Sequence, residues 1–486
     1  MNSPILTDYP QLTILQNIVK QKKVAVYCVG GFLRDHVLGR TNNDLDFAVE
    51  KDALKVAKLF ADKIKGAYVV LDQERGCARV IKKIKQKTYT FDLADFRADT
   101  FLEDLAHRDF TINTLAMDIA CITPSTEISQ VILDHKRGIK DIKAKRIKRT
   151  SVRALREDPL RMVRAFSLQA NLGFRIELST LNQIRKEKDA ICTVSSERVR
   201  DELFKILSSP NAAKVLRAMD RIGLLAKVMP QITVMYGCTQ GGYHHLDVWP
   251  HSIETVRQLE KVFKKDINKF NEEDVLDIRE YLDEKLGGEC ARFALIKLAA
   301  LLHDVGKPDT RKKRPEGGFS FHGHERVGRD IVRHVARMLK LSTRQRHMVE
   351  DMVIFHLRPG YLSNFKQPST RMVFRYFRDT KDEALSILLL CLADQRATCG
   401  SLTTEKDQRH HEKITYDLIE RYLAKKREKP LVHFINGDDL IKKFKLKPSP
   451  LFGQILTEVE EQQVLGKVST KQEALALVKV LVERNN

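Results

Sequence analysis

The chain has 486 residues, enough for two to four domains that each bury a core, and its 43% hydrophobic and 31% charged content is an ordinary globular balance. No apolar run approaches the ~20 residues that a membrane-spanning helix requires, which argues against a membrane partner. Lysine and arginine outnumber aspartate and glutamate by 85 to 64, and the net charge of +21 favours a polyanionic partner, because each neutralised phosphate releases counterions.

The first ten residues lack the basic-then-apolar pattern of a secretory signal. Eight cysteines include no C-x-x-C pair, so neither a disulfide framework nor a cysteine zinc site is indicated, and the cytoplasm is the expected compartment. Residues 12–21 have the periodicity of a short helix. The apolar run 24–29 then reads as a buried strand, ended by Gly30-Gly31 in a turn where backbone can approach a ligand closely. A helix starts at this turn, so its free N–H groups and Arg34 are expected to face an anion. A second strand, 44–49, carries Asp44-Leu45-Asp46. With a side-chain period of two, both carboxylates share one face while Leu45 enters the core. Two carboxylates aimed at one point call for cations. Mg2+ takes one or two protein carboxylates plus substrate phosphates, and a pair of such ions can activate an attacking hydroxyl and steady a leaving pyrophosphate.

Residues 51–65 have helical spacing, and strands are predicted over 67–71, 78–84 and 88–96, giving a small head of about 130 residues with a mixed sheet. Asp92 lies on the last of these strands beside the expected metal face. A plain strand-surface carboxylate is the simpler reading of it, and a third acidic group is the alternative.

The Gly-Gly turn followed by the D-x-D strand resembles the nucleotidyltransferase superfamily related to DNA polymerase beta. A further motif, Leu105-Ala106-His107-Arg108-Asp109-Phe110-Thr111-Ile112-Asn113, extends the resemblance to the bacterial-type (class II) tRNA nucleotidyltransferases, the CCA-adding enzymes, and to the bacterial poly(A) polymerases. Their R-R-D-x-T-x-N motif is matched by Arg108, Asp109 and Asn113, which implies contacts to the sugar and phosphates of an incoming nucleotide. His107 replaces the first arginine, and with it any contact that needs a permanent charge there.

Over 136–149, eight of fourteen residues are Lys or Arg. Such a run is a solvated surface or a flank for RNA phosphates; Asp134, Gly138 and Asp141 fall where the family has a hinge between head and neck. Residues 151–207 read as helices. Within a helix Asp158 and Arg161 are three apart and neighbours on one face, and Arg164 continues the stripe. A carboxylate beside a guanidinium offers acceptors and a fork of donors that match the Watson–Crick edge of one base, although an intrahelical salt bridge has the same spacing. Arg156-Glu157-Asp158-Pro159-Leu160-Arg161 resembles the family's E-D-x-x-R, which implies a protein template that selects CTP or ATP. The family often has another arginine at Ser167, so triphosphate binding or nucleotide choice is expected to differ here. Ser195-Ser196-Glu197-Arg198 starts a further helix with a capping residue before an acidic first turn, and is assigned a structural role only.

Beyond a glycine-containing linker at 236–242, histidines gather: His244, His245 and His251, then His303-Asp304 at the end of an apolar helix over 293–302, then His322, His324, His356 and finally Asp394. This order resembles the HD phosphohydrolase superfamily. The resemblance implies a metal held by His251, His303, Asp304 and Asp394, with His324 and His356 supporting a second metal or a phosphate. Imidazole with carboxylate suits Mn2+, Ni2+ or Mg2+. Phosphatase or 2',3'-cyclic phosphodiesterase activity would follow. Residues 401–486 are predicted helical, basic at first, with Phe434-Ile435-Asn436-Gly437-Asp438-Asp439-Leu440 resembling a segment near the family's C-terminus. This region is expected to hold a tRNA body by shape and phosphates.

The expected fold is α+β: a mixed-sheet nucleotidyltransferase head (1–137), a helical neck (138–240), an HD domain (241–400) and a C-terminal helical region (401–486). The expected reaction joins CMP, and AMP as a further possibility, to the tRNA 3' end from CTP and ATP without a nucleic-acid template. Asp44 and Asp46 would hold Mg2+, Gly31, Arg34, Arg108, Asp109, Asn113 and Arg164 the nucleotide, and Asp158 with Arg161 its base. Only residues 96–100 separate the last head strand from the next element. CCA-adding relatives have a longer flexible loop there, so the pattern resembles CC-adding enzymes that leave the last A to a separate A-adding enzyme. The alternatives are full CCA addition, a poly(A) polymerase, or an HD phosphohydrolase with an RNA-binding head.

Overall fold

The computed structural model describes residues 5–485 apart from Gln86, Tyr243, Glu289, Glu316 and Pro430. The chain forms two compact units, Met1–Ser209 with Ala218–Val228 and Pro210–Arg217 with Met229–Asn486. No helix among the described residues is long and apolar enough to cross a membrane.

The first unit is built on a six-stranded mixed sheet in the order β3-β4-β5-β2-β1-β6. Its strands are β1 (Val26–Val29), β2 (Asp44–Val49), β3 (Ala67–Asp72), β4 (Cys77–Ile84), β5 (Lys87–Asp95) and β6 (Ala116–Asp118). Five match the sequence expectation to within two residues at each end. β6 is new: three residues carry no alternation, and the strand exists because it pairs with β1. β2 runs antiparallel to β1, with Val29 opposite Asp46, and parallel to β5, with Asp46 opposite Asp92. The Gly-Gly turn, the D-x-D face and Asp92 are therefore brought to one place by strand register. Helix Gln11–Lys22 buries Leu12, Leu15 and Val19, one stripe at helical spacing. Helix Ala53–Ile64 buries Val56, Ala57, Phe60 and Ala61, and Phe60 meets Phe91 of β5 edge-on at 5.1 Å. Burying such a ring contributes about 2–3 kcal/mol relative to leaving it in water.

Past the sheet, helix Gly138–Lys143 lies so close to the 3-10 turn Thr111–Asn113 that a Cβ on Gly138 would sit 2.4 Å from the Thr111 carbonyl oxygen, so only glycine fits there. The basic stretch continues into β7 (Arg146–Ile147), which pairs in parallel with β8 (Arg175–Ile176). Helices Ala154–Glu157, Arg161–Leu172, Leu178–Glu187 and Ser196–Leu207 complete this part of the unit. The first two are not continuous. Asp158 is extended at φ −147° and ψ 98°, because Pro159 disfavours helical geometry in the residue before it.

The second unit is helical apart from a short two-stranded ribbon. Helices Arg292–Leu302 and Ala384–Ala397 are apolar nearly all round and form its centre, with helices Val248–Lys265 and Thr343–Phe355 packed against both. Helices Gly437–Phe444, Pro450–Val464 and Lys471–Asn485 enclose a small core of Leu440, Ile455, Val459, Ala474 and Val478. Buried Glu461 ties that core to helix Thr370–Thr380 by accepting from Arg371 and, at 2.8 Å, from Arg375 Nε.

Candidate functional site

A cleft of about 310 Å3 opens in the first unit, lined by Gly30, Gly31, Asp46 and Asp92 on the sheet side and by Asp158, Arg161 and Arg164 on the helical side. Gly30, at φ +84°, ends β1, and a Cβ on it would lie 3.2 Å from Asp46 Oδ2. This is the close backbone approach that the paired glycines suggested.

Asp44 and Asp46 are exposed on one face of β2, and Leu45 between them is buried, as the alternation required. Neither carboxylate has a cation within ion-pair distance among the described residues. Asp46, open to solvent only through the cleft it lines, is pushed up to about 6, first by the cleft walls around it, then by Asp92 and Asp44, against the pull of Arg108 and Arg164. Such a carboxylate is stabilised by a bound cation, so the donor set fits a hard divalent ion. Asp92 faces Asp46 across the register and accepts from Arg79 twice, at 2.8 Å and 2.7 Å. It lines the cleft rather than an open strand surface, with its charge matched.

The R-D-x-T-x-N residues fold as a turn. His107 caps helix Phe101–Ala106, Phe110 is extended, and the 3-10 turn Thr111–Asn113 follows. A polar chain runs through it: Arg34 Nη1 donates to Asn113 Oδ1 at 2.7 Å, Asn113 Nδ2 donates to Asp109 Oδ1 at 3.1 Å, and Arg164 Nε lies 2.9 Å from Asp109 Oδ2. Burial works to raise Asp109, but Arg164, Asn113 and the Phe110 N–H outweigh it and hold this carboxyl below its usual range. Arg34 also clasps Asp35, its Nε donating to Oδ1 at 2.9 Å, and it is not among the residues lining the cleft. Its guanidinium lies against the turn, 3.4 Å from where a Cβ on Gly31 would sit, and braces Asn113 from there. Arg108 lines the cleft and is steadied by Asp104, Nε to Oδ2 3.2 Å.

Asp158 and Arg161 do not share a helical face, because the helix begins only at Arg161. Both nevertheless reach the cleft. Asp158 Oδ1 accepts from Leu160 N at 3.2 Å and Oδ2 from Arg198 Nη2 at 2.7 Å. Arg161 is buried, donating to the carbonyls of Ala154 at 2.8 Å and His107 at 2.7 Å. His107 Nδ1 lies 3.1 Å from Glu157 Oε1, so the histidine is turned to the helix before the break. Ser167 donates to buried Glu202, with its Oγ also 3.1 Å from the Arg164 carbonyl oxygen. Arg198 goes beyond the structural role expected for its segment, since it lines the cleft, and Ser195 precedes its helix without a side-chain capping bond. The only signal for Arg198 in the sequence was a positive charge in the first helical turn.

The second unit holds a separate cluster. His251, His303, Asp304, His324 and His356 are buried together and form two trios that share Asp304: His251–His303–Asp304 and Asp304–His324–His356. Asp394 joins them, its Oδ1 2.8 Å from His251 Nε2 and 3.4 Å from His303 Nε2. His303, His324 and His356 each donate Nδ1 to the carbonyl three residues earlier, on Ala300, Phe321 and Val353, at 2.8, 2.8 and 2.7 Å. That fixes the tautomer and turns every Nε2 lone pair inward, the second-shell arrangement of metal-ligating histidines. His303 Nε2 is buried 3.2 Å from Asp304 without hydrogen-bond geometry to it. Burial opposes charge on His303, yet Asp304 and Asp394 lift it to about 10, so the carboxylates demand positive charge at this point. His356 is pushed down to about 3 by burial and by His303 and His324, and is a neutral donor. The donor set fits one or two divalent ions of borderline softness. Lys307 Nζ, 2.6 Å from Asp304 Oδ2, closes one side. Gly306 lies against the next helix, His324–Met338, so tightly that a Cβ would be 2.2 Å from the His324 carbonyl oxygen.

Known proteins match the nucleotide-transfer head and the fold. Residues 26–148 match the family model of the poly A polymerase head domain, 173–235 that of a probable RNA and SrmB-binding site of polymerase A, and 330–478 that of tRNA nucleotidyltransferase domain 2. The chain is 31% identical over 460 residues to the A-adding tRNA nucleotidyltransferase of Deinococcus radiodurans, covering 93% of this chain and 94% of that one. It is 29% identical over 458 residues to the CC-adding tRNA nucleotidyltransferase of Thermus thermophilus, covering 93% and 92%. The fold is similar to that of a CCA-adding enzyme solved with ATP, with a TM-score of 0.62, 21% identity and coverage of 97% and 93%. The Thermotoga maritima CCA-adding enzyme solved with tRNA gives a TM-score of 0.59 at 20% identity, covering 98% and 95%.

Proposed function

The chain belongs to the tRNA nucleotidyltransferase family, and from that premise we propose that its cleft transfers CMP from CTP to a tRNA 3' end twice and then stops. The observation that carries the two-cytidine reading is the connection between β5 and helix Phe101–Ala106, which consists only of residues 96–100. Reading C and then A in one protein pocket requires a lever that remodels it. Here the flanks are pinned: Tyr27 stacks on Phe101 with centroids 3.7 Å apart and planes at 12°, and Phe96 packs 5.7 Å from Phe101. Little chain is left to swing.

In this reading Asp44 and Asp46 would hold Mg2+, which would supply the charge that activates the 3'-hydroxyl and neutralises the leaving pyrophosphate. Gly30 and Gly31 keep backbone close to the polyphosphate, and Arg108 meets its charge. Asn113 and Asp109, locked between Arg34 and Arg164, present a rigid edge to the sugar. Asp158 retains unfilled acceptor positions after bonding Leu160 and Arg198, and Arg161 retains donors after bonding two carbonyls, so the pair can read the amine and ring edge of cytosine. Restraint of both groups before the base arrives reduces the entropy lost on binding. Exposed Lys140, Lys143, Lys145 and Lys148 offer a flank for tRNA phosphates.

Single-turnover extension of a tRNA ending at its discriminator base, with CTP, ATP or both, tests the proposal. Two added cytidines and no adenosine are expected. A complete CCA end, addition of A alone to a tRNA already ending in CC, or a long tail from ATP would each overturn it.

The cluster around Asp304 favours a second activity, metal-dependent phosphoester hydrolysis. His251, His303, Asp304 and Asp394 would hold one ion, and Asp304, His324 and His356 a second. Mn2+, Ni2+ or Mg2+ there would supply a water acidic enough to attack phosphorus. Metal analysis of the purified protein together with hydrolysis of a 2',3'-cyclic nucleotide tests this. Asp304→Ala should lose both metal and hydrolysis, and the Asp44→Ala/Asp46→Ala double variant should retain both while losing transfer.

A further inference from the structure

Charges around the nucleotide-transfer cleft are almost completely matched. Asp92 pairs with Arg79, Asp109 with Arg164, Asp158 with Arg198 and Asp104 with Arg108, and Arg161 is held by two carbonyls with Glu157 at 3.7 Å. Two cleft-lining groups are left over among the described residues, the Asp46 carboxylate and the Arg97 guanidinium. Asp46 already has a role as a seat for divalent cations. Arg97 has the opposite sign and no role.

Arg97 is exposed, and among the described residues its only polar side-chain contact is a long one, Nη1 to the His107 carbonyl at 3.4 Å. Its backbone is fixed. The Arg97 N–H donates to Asp104 Oδ1 at 3.1 Å, and Asp104, 1% exposed, also steadies Arg108 through its other oxygen. One buried carboxylate thus sets the position of two cleft arginines. The neighbours Phe101, stacked on Tyr27, and Phe96, tilted beside the same ring at 6.2 Å, keep the short segment from drifting. Arg97 also stands near enough to Arg161 to matter. Both guanidinium groups reach the carbonyl oxygen of His107, Arg97 at 3.4 Å and Arg161 at 2.7 Å, so two like charges meet at one acceptor and repel. An anion between them would relieve that repulsion. A guanidinium with free donors, held on a rigid backbone in a walled cleft, suits the oxygens of a phosphate.

We propose that Arg97 is a phosphate-binding residue of this cleft, its guanidinium taking the non-bridging oxygens of a substrate phosphate. That phosphate belongs either to the incoming nucleoside triphosphate or to the last phosphodiester of the RNA. The assignment rests on the transfer reading above and names one further residue for it.

Equilibrium binding on the full-length enzyme separates the two sources. If the triphosphate is held, Arg97→Ala weakens binding of CTP with Mg2+ by about ten- to a hundredfold and raises KM for CTP to match, with tRNA affinity unchanged. If the RNA phosphate is held, Arg97→Ala weakens tRNA binding and lowers the slope of log affinity against log salt by about 0.7, with CTP affinity unchanged. Arg97→Lys, which keeps the charge and loses the fork, should recover part of the loss in either case. Unchanged affinity for both CTP and tRNA in Arg97→Ala overturns the assignment, whatever happens to kcat. The transfer reading fails differently: an unaltered enzyme that binds CTP and tRNA but appends nothing refutes it, and the two affinities still decide the role of Arg97.

Discussion

Asp46 shows how one side chain can be read from sequence through to chemistry. Its place on a face with Asp44 follows from strand alternation alone, and its raised proton affinity follows from the enclosing walls and the carboxylates beside it. The folded state holds this proton up to about 6, whereas the unfolded chain releases it near the ordinary aspartate value of 3.8. With more protons on the folded form between those limits, the contribution to stability falls as pH rises from about 4 to about 6. Two outcomes follow. In EDTA at pH 7.5, Asp46→Asn should raise the melting temperature, because a repelled charge is removed, while with Mg2+ restored its transfer rate falls on the order of 10^3-fold below that of the unaltered enzyme. In the unaltered enzyme, the Mg2+ concentration for half-maximal transfer should rise as pH drops through about 6, since proton and metal compete for the same oxygens. Mg2+ titrations at pH 5 and 7.5 check this. Asp158 was half legible. Its proposed base-reading role came from the motif, but its conformation did not, although Pro159 was in plain view as the reason it leaves the helix. Arg198 and Arg97 were not legible, because their importance lies in pairing or failing to pair with residues far away in the chain.

Among the elements, the break between helices Ala154–Glu157 and Arg161–Leu172 is the one on which the proposed nucleotide selection depends. Pro159→Ala removes the restriction on Asp158 and lets the two helices merge, which would draw the carboxylate away from Arg198. Selection of CTP over ATP, measured as the ratio of kcat/KM values, should drop about tenfold, with much less effect on tRNA affinity. Arg198→Ala should give the same loss through a different atom. The strands of the head were legible because alternating apolar residues leave a trace in the sequence. β6, β7 and β8 are two or three residues each and exist by pairing with neighbours, so no periodicity could disclose them.

At the scale of the molecule, the α+β class and the helical second half were readable from composition and spacing, whereas the manner in which the C-terminal helices are fastened was not. Glu461 is 1% exposed and accepts from arginines of helix Thr370–Thr380 that were unremarkable in the sequence. Burial works to raise its carboxyl, but Arg375 and Arg371 outweigh this and hold it below its usual range, so its stabilising contribution is present at neutral pH and lost as pH falls below that of an ordinary glutamate. Glu461→Ala should cost about 1–3 kcal/mol of stability and expose the segment before helix Gly437–Phe444 to proteases, as limited proteolysis would show. Metal removal acts elsewhere in the same unit: EDTA should lower the melting temperature of the unaltered protein and leave that of Asp304→Ala unmoved.

Gly306 carries no functional group, yet its single hydrogen is all that the following helix leaves room for. A methyl there would wedge that helix outward and carry His324 with it, leaving His251, His303 and Asp394 in place. Loss of one ion with retention of its neighbour could thus arise from the smallest possible enlargement of the chain, at a position that a survey of ligands alone would pass over.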